Sequence, residues 1–257
     1  MSDLERIKRF LRETEERICD ELHPTAHGLA TLTPSLPLVW QLNQIRVDDP
    51  DADPAALVTE ADRLLARFPH RKLVTEDEGL GARLTTSLSA EGWNAYRLLV
   101  MVRRRPPDRP PEPGLGAEVS RERGAAVLAA FRREQPFGWQ DEAIRQLAAM
   151  DERYGRAVCA RDFAAPPGDL GCSCRLYTDG SLAQVDEVGT VAARRGRGYA
   201  RAAVLAAADV AAEEGCDPIF LLTDAADWPK QLYARLGFDA IGAVYEFLKL
   251  PVHTPGR

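Results

Sequence analysis

From Leu182 to Gly215 the chain reads LAQVDEVGTVAARRGRGYARAAVLAAADVAAEEG, in which a strand-like run passes through a glycine-rich basic turn straight into a long alanine-rich segment. Alanine is the strongest helix former, and Gly215 supplies a stop, so a strand, a tight turn and a helix are expected in immediate succession. That junction constrains both fold and ligand. Unpaired amides at a helix N-terminus form an anion site, the helix dipole adds to it, and glycine lets phosphate oxygens approach the backbone. Arg194, Arg195 and Arg197 add charge, and Arg201 lies one turn into the helix. A nucleotide-like diphosphate fits such a turn.

Two common phosphate motifs do not match. A dinucleotide fold needs a third glycine after Gly196-Arg197-Gly198, where Tyr199-Ala200-Arg201 stands instead, and a P-loop needs Gly-Lys-Ser/Thr. The surrounding periodicities predict helices over Val119–Phe131 and Trp139–Met150, then strands over Arg156–Asp162, Leu170–Tyr177 and Leu182–Val191. A helix over Gly198–Glu214, a strand over Pro218–Thr223, a helix over Asp227–Leu236 and a strand over Ala243–Leu250 follow. The order is ααβββαβαβ, an α/β (α+β) pattern.

Upstream, RRRPPDRPPEPGLG carries five prolines, which remove amide donors and fix extended backbone, so residues 104–115 read as a linker between domains at 1–103 and 116–257. The net charge of -6 argues against a duplex nucleic-acid partner, which requires a concentrated basic surface. No apolar run is long enough to cross a bilayer, and MSDLERIKRFLRETEERI reads as a charged helix, so a cytoplasmic protein without a membrane partner is expected. Cys19, Cys159, Cys172, Cys174 and Cys216 lack metal-site spacing and read as reduced core thiols; no metal is expected. His23, His27, His70 and His253 are scattered, with no triad or ligand partner in register.

The turn resembles the signature of the GNAT superfamily of N-acetyltransferases, Arg/Gln-x-x-Gly-x-Gly/Ala, with Arg195, Gly198 and Ala200 in its three defined positions. Leu232-Tyr233-Ala234-Arg235-Leu236-Gly237-Phe238 is similar to the family's L-Y-x-x-x-G-F segment, in the expected order after the next strand. The resemblance covers about 135 residues, Gly116 to Leu250. It implies a mixed, mostly antiparallel sheet flanked by helices, and acetyl-CoA as acyl donor.

The resemblance also implies residue roles. Gly196, Arg197, Tyr199 and Arg201 join Arg195, Gly198 and Ala200 around the pyrophosphate. Backbone groups of Val188, Gly189 and Thr190 run along pantetheine, with the Val188 amide placed to polarise the thioester carbonyl. Tyr233 takes the position near the departing sulfur, where it either protonates a thiolate or packs on the cofactor. The family's Asn before this tyrosine is missing: Ala226 and Asp227 stand there, followed by Trp228-Pro229, so one cofactor contact of the family pattern has no matching residue. Glu187 and Asp186 are candidates for the general base, Glu187 the preferred one. As strand neighbours they point to opposite faces unless a bulge intervenes, and solvent is the third option.

In the first hundred residues, a strand in Leu38–Val47, helix in Pro54–Phe68, strand in Lys72–Thr75, helix in Gly81–Leu88 and strand in Tyr96–Val102 repeat the order of the later half. This pattern reads as a degenerate GNAT-like repeat, or as an unrelated α/β domain. Where the second half has its basic turn, the first has DDPDADP, whose four carboxylates repel a diphosphate, and Asp53-Pro54 reads as a helix cap. The expected function is acetyl transfer to a primary amine of a small molecule, by a monomer or homodimer. A protein amine as acceptor, or a regulatory acetyl-CoA-binding protein without turnover, are the alternatives.

Overall fold

The computed structural model describes residues 1–169 and 171–250, so Leu170, at the start of an expected strand, and His253 lie outside the described residues. Compact packing divides the chain differently from a cut at the proline-rich stretch. One unit comprises Met1–Phe10, Val100–Thr223 and Asp227–Ile241; the other comprises Leu11–Leu99, Asp224–Ala226 and the described residues from Gly242 to Leu250.

The first unit holds β6 (Ala117–Val119), α4 (Arg121–Arg133), α5 (Asp141–Ala157), β7 (Cys159–Ala165), β8 (Cys172–Thr178), β9 (Ala183–Thr190), α6 (Tyr199–Glu213), β10 (Ile219–Asp224) and α7 (Pro229–Arg235). After β6, which was not anticipated, the order is the expected one. Its strands lie β10-β9-β8-β7-β6, with β9 parallel to β10 and the rest antiparallel. The hairpin between β8 and β9 turns at Gly180, φ +89°, while Asp179 Oδ1 accepts from the amides of Ser181 and Leu182 at 2.8 and 3.1 Å. α6 buries Ala202, Ala203, Val204, Leu205, Ala207, Ala208 and Ala211, small side chains that let it lie close to the sheet. α5 runs on to Ala157, so the strand expected from Arg156 begins only at Cys159; Tyr154, in the added turn, packs on Tyr177 with ring centroids 5.1 Å apart.

The second unit holds the rest of α1 (Asp3–Ile18) with β1 (Glu21–Pro24), β2 (Gly28–Leu32), β3 (Gln44–Val47), α2 (Pro54–Leu64), β4 (Arg71–Thr75), α3 (Glu78–Ala90) and most of β5 (Asn94–Arg103). Its strands lie β1-β2-β3-β4-β11, where β11 is Phe238–Lys249. Leu57, Leu65, Leu73, Leu80, Leu84, Leu88, Trp93 and Phe247 form its core. Asp53 caps α2 by accepting from Ala56 N at 3.0 Å, with Pro54 at the first helical position, as the sequence suggested. Only Gln44–Val47 of the expected Leu38–Val47 strand is extended, since Trp40–Leu42 forms a 3-10 turn, and α2 stops before Phe68. β1 and β2 were not legible: β1 is a mostly exposed ELHP run, and Gly28 is required because a Cβ there would lie 2.0 Å from Arg46 O.

The element order β3-α2-β4-α3-β5 matches β9-α6-β10-α7-β11, and in each the first two strands are parallel. The last strands, however, cross over. Tyr245–Lys249 of β11 pairs antiparallel with β4 in the second unit, whereas Val100–Arg103 of β5 belongs to the first. Cys172, Cys174 and Cys216 are buried thiols, but Cys159 is exposed and Cys19 half-buried, so the reading of all five as core residues holds for three.

Candidate active site

Among the described residues β9 and β10 pair with each other at Ala183–Ile219 and Gln184–Phe220, after which the two strands run on without further register between them, β9 to Thr190 and β10 to Asp224. On its other edge β9 is irregular. Ser173 opposes Gly189 and Arg175 opposes Asp186, so Glu187 and Val188 face Cys174 together in a bulge. Glu187 has φ +52°, the one non-glycine residue with positive φ among those described, a conformation costing on the order of 1 kcal/mol or more. The splay and bulge together open the edge that carries the backbone of Val188, Gly189 and Thr190.

The strand then leads through a short 3-10 turn, Ala192–Arg194, into the basic loop. Gly196 and Gly198 have φ of +75° and +77°, and a Cβ on either would meet nothing within 4 Å, so the loop forms an open cradle. Gly198 is the N-cap of α6 and no side chain caps the helix, which leaves the first amides, from Tyr199, Ala200 and Arg201, facing the cradle end without intrahelical partners. Arg195 and Arg197 are exposed there, with Arg195 Nε donating to Thr190 O at 3.3 Å. Two arginines are committed elsewhere. Arg194 pairs with Asp169 at 2.7 Å, and the buried Arg201 side chain pairs with Asp108 and donates to Arg109 O at 2.9 Å. The Arg201 charge expected at the phosphate is therefore held by the proline-rich stretch, and only its amide remains for the turn.

Below the bulge lies a network of charged side chains. Arg132 of α4 donates to both oxygens of Asp151 of α5, at 2.8 and 3.0 Å, and its Nη2 reaches Glu187 Oε2 at 3.1 Å. Arg175 of β8 pairs with Asp151 at 3.0 Å and with Asp162 of β7 at 2.8 Å. Asp186 Oδ2 accepts from Gln184 at 3.1 Å and its Oδ1 from the Glu187 amide at 2.8 Å. Two guanidinium groups thus face four carboxyl groups. Strand alternation would have sent Asp186 and Glu187 to opposite faces; the bulge turns both toward the same cluster. Burial pushes the Glu187 carboxyl up to about 7 against the pull of Arg132, with Asp186 and Asp151 adding to the rise. Asp186 is raised as well, chiefly by burial. Glu187 keeps 23% of its side chain exposed, whereas Arg132 and Asp151 are almost wholly buried.

Tyr233 of α7 is 7% exposed, and burial raises its phenol well above the ordinary range, with Cys174 and Asp186 close enough to add to the effect. Its hydroxyl stays protonated at any working pH. Among the described residues, no cluster of three or more His, Cys, Asp or Glu is grouped to hold a metal, and no helix is long and apolar enough to cross a membrane.

Residues 125–238, which contain the bulge, the cradle, the charged cluster and Tyr233, match the family model for the acetyltransferase (GNAT) family. This segment is a GNAT domain. Solved structures share the fold over more of the chain than the GNAT domain alone. A functionally unknown conserved protein from Staphylococcus epidermidis is 15% identical, with a TM-score of 0.65 over 91% of this chain and 95% of its own. A GCN5-related N-acetyltransferase from Kribbella flavida is 17% identical, with a TM-score of 0.58 over 96% of each chain. Another, from Sphaerobacter thermophilus, is 18% identical, with a TM-score of 0.51 over 75% of this chain and 64% of its own. No curated protein matches in sequence.

Within the GNAT domain, Arg132, Asp151, Arg175 and Asp162 escaped the sequence reading. One signal was available: Arg175 stands in CSCRLYT, a strand buried along its whole length, and a buried arginine needs carboxylate partners. Where those partners sat, 24 residues before and 13 residues before in the chain, was not legible.

Proposed function

We propose that the chain is an acetyl-CoA-dependent N-acetyltransferase that moves the acetyl group to a primary amine of a small molecule, by direct attack of the amine on the thioester. The observation that carries this reading is the parting of β9 from β10 beside an uncapped helix that opens through two left-handed glycines. An open glycine cradle with free amides and exposed arginines suits the pyrophosphate of coenzyme A, and a splayed strand edge suits the amide-rich pantetheine arm. The bound donor supplies an activated acyl group as its thioester.

The protein's part is binding, orientation and proton handling. The Tyr199, Ala200 and Arg201 amides, with Gly196, Gly198, Arg195 and Arg197, hold the diphosphate. Backbone groups of Val188, Gly189 and Thr190 align the arm, and the Val188 amide polarises the carbonyl, a kind of contact worth about 2.7–4 kcal/mol in acyl transfer. Glu187 takes the proton of the attacking amine, because a carboxyl titrating near 7 is half-ionised at working pH and this one retains access to solvent. Asp186 supports it, both of its oxygens being engaged already. Tyr233 donates its hydroxyl to the departing sulfur. Its raised proton affinity favours hydrogen-bond stabilisation of the developing thiolate over complete transfer.

The unit built around β3 and β4 takes no coenzyme A in this reading. Its corresponding loop offers Asp48, Asp49, Asp51 and Asp53 and two prolines, and β3 stays paired with β4 through Val47–Thr75. Incubation of the full chain with acetyl-CoA and a panel of small amines, followed by free-thiol release, tests the proposal. Acceptor-dependent thiol is expected; saturable acetyl-CoA binding with no acceptor-dependent thiol across small amines, peptide N-termini and lysine peptides would leave a binding protein.

A further inference from the structure

We propose that Arg132 is a positioning residue for Glu187: it holds the carboxylate on the bulge of β9 and, through its charge, keeps that carboxylate ionisable so that it can accept the amine proton. The inference rests on the reading of Glu187 as the base.

Glu187 occupies a left-handed backbone position that a glutamate does not adopt unless its surroundings over-determine it. Its side-chain ion pair is to Arg132, at 3.1 Å. Arg132 is itself fixed, with both of its terminal nitrogens on Asp151 and almost no exposed surface, so it presents a charge of set position rather than a mobile one. Nη2 serves Asp151 Oδ1 and Glu187 Oε2 at once, which makes the guanidinium a bridge between α5 and the strand edge.

The charges around Glu187 determine what the bridge does. From α4 comes Arg132; from α5, Asp151; from β8, Arg175 and Tyr177; from β7, Asp162 through its pair with Arg175; from β9 itself, Asp186; and from α7, Tyr233, which lies near Asp186. With Arg132 present, two cations oppose four carboxyl groups. Remove it, and a single cation opposes four, so Glu187 keeps its proton through neutral pH and is no base. Asp151 acts in two senses: it orients Arg132, and its negative charge works against ionisation of Glu187. Opposite charge changes at two touching residues should therefore move Glu187 in opposite directions, which local damage to the fold cannot do.

The test is a direct titration. Full-length protein labelled with 13C at glutamate carboxyl carbons is followed by NMR from pH 5 to 9 without ligand, and the Glu187 signal is assigned by its loss in Glu187→Gln. A midpoint near 7 is expected in the parent. Arg132→Gln should raise it by about 1–3 pH units, Asp151→Asn should lower it, and Arg132→Lys should restore it to within about half a unit of the parent. If Arg132→Gln does not fold, the downward move in Asp151→Asn and the rescue in Arg132→Lys still decide. Midpoints that do not move, or that move the same way in Arg132→Gln and Asp151→Asn, overturn the proposal. The base reading fails separately, if Glu187→Gln retains the parental acceptor-dependent thiol release.

Discussion

The ring of Phe131 fills the space that a side chain on Gly189 would need, its Cδ1 lying 2.5 Å from where a Cβ would stand. This contact seats α4 flat against β9, and the next residue of the helix, Arg132, thereby comes within 3.1 Å of Glu187. Gly189→Ala should force the helix away from the strand. A loss of stability of about 1–3 kcal/mol is expected, together with weakened catalysis, and chemical denaturation alongside steady-state rates would check both. A variant of parental stability and activity would show that α4 yields without consequence.

Glu187→Gln should uncouple stability from activity. The folded carboxyl titrates near 7 and the unfolded one near 4.5, so between those values the native state holds the proton that the unfolded state has lost, and stability falls as pH rises through that window. Glutamine removes this loss. The variant should therefore melt at a higher temperature than the parent at pH 8, with little difference at pH 4.5, while kcat/KM falls by about 10²- to 10⁴-fold. A lower melting temperature at pH 8 would mean that the charged form stabilises the site.

Tyr233→Phe should retain acetyl-CoA affinity and lower kcat by at least about tenfold, since the ring still packs near Phe238, its neighbour at 6.4 Å between centroids, while the donated hydrogen bond is lost. Parallel calorimetry and steady-state kinetics separate the two quantities. Unchanged turnover across pH 6 to 9 would make Tyr233 a packing residue.

Arg195→Glu and Gly198→Val should both weaken acetyl-CoA binding by more than about tenfold. The first reverses an exposed charge at the cradle; the second places a β-branched residue at φ +77°, which costs about 1–2 kcal/mol locally and displaces the start of α6. Arg195→Glu should leave thermal unfolding nearly unchanged, so titration calorimetry on this variant isolates the cradle from the fold. Parental affinity in both would remove the cradle from the binding site.

One chain should bind one acetyl-CoA. The contrast lies between the two cradle glycines and exposed arginines after β9 and the Asp48–Pro54 stretch after β3, where Asp53 already caps α2. Calorimetric stoichiometry near one is expected; two equivalents per chain would place a second site beside β3.

The sequence by itself determined whatever depends on neighbours along the chain. The helical and strand periodicities, the Asp53-Pro54 cap and the turn from β9 into α6 are local, because hydrogen bonds and φ preferences within a few residues decide them. For the same reason the glycine-rich, basic character of the Arg195–Ala200 turn is legible in the sequence. Tertiary structure decided what depends on residues brought together from afar. The bulge that turns Asp186 and Glu187 toward one cluster needs β8 beside β9. The elevated proton affinity of Glu187 comes from its burial in the packed molecule, with Asp186 and Asp151 adding to it and Arg132 and Arg175 opposing it, groups gathered from two helices and two strands. The diversion of Arg201 to Asp108 links residues 93 apart in sequence, and the placement of β11 against β4 joins the end of the chain to its first half. Burial, charge and strand partnership are properties of the packed molecule, and periodicity along one segment carries no record of which distant segment will supply them.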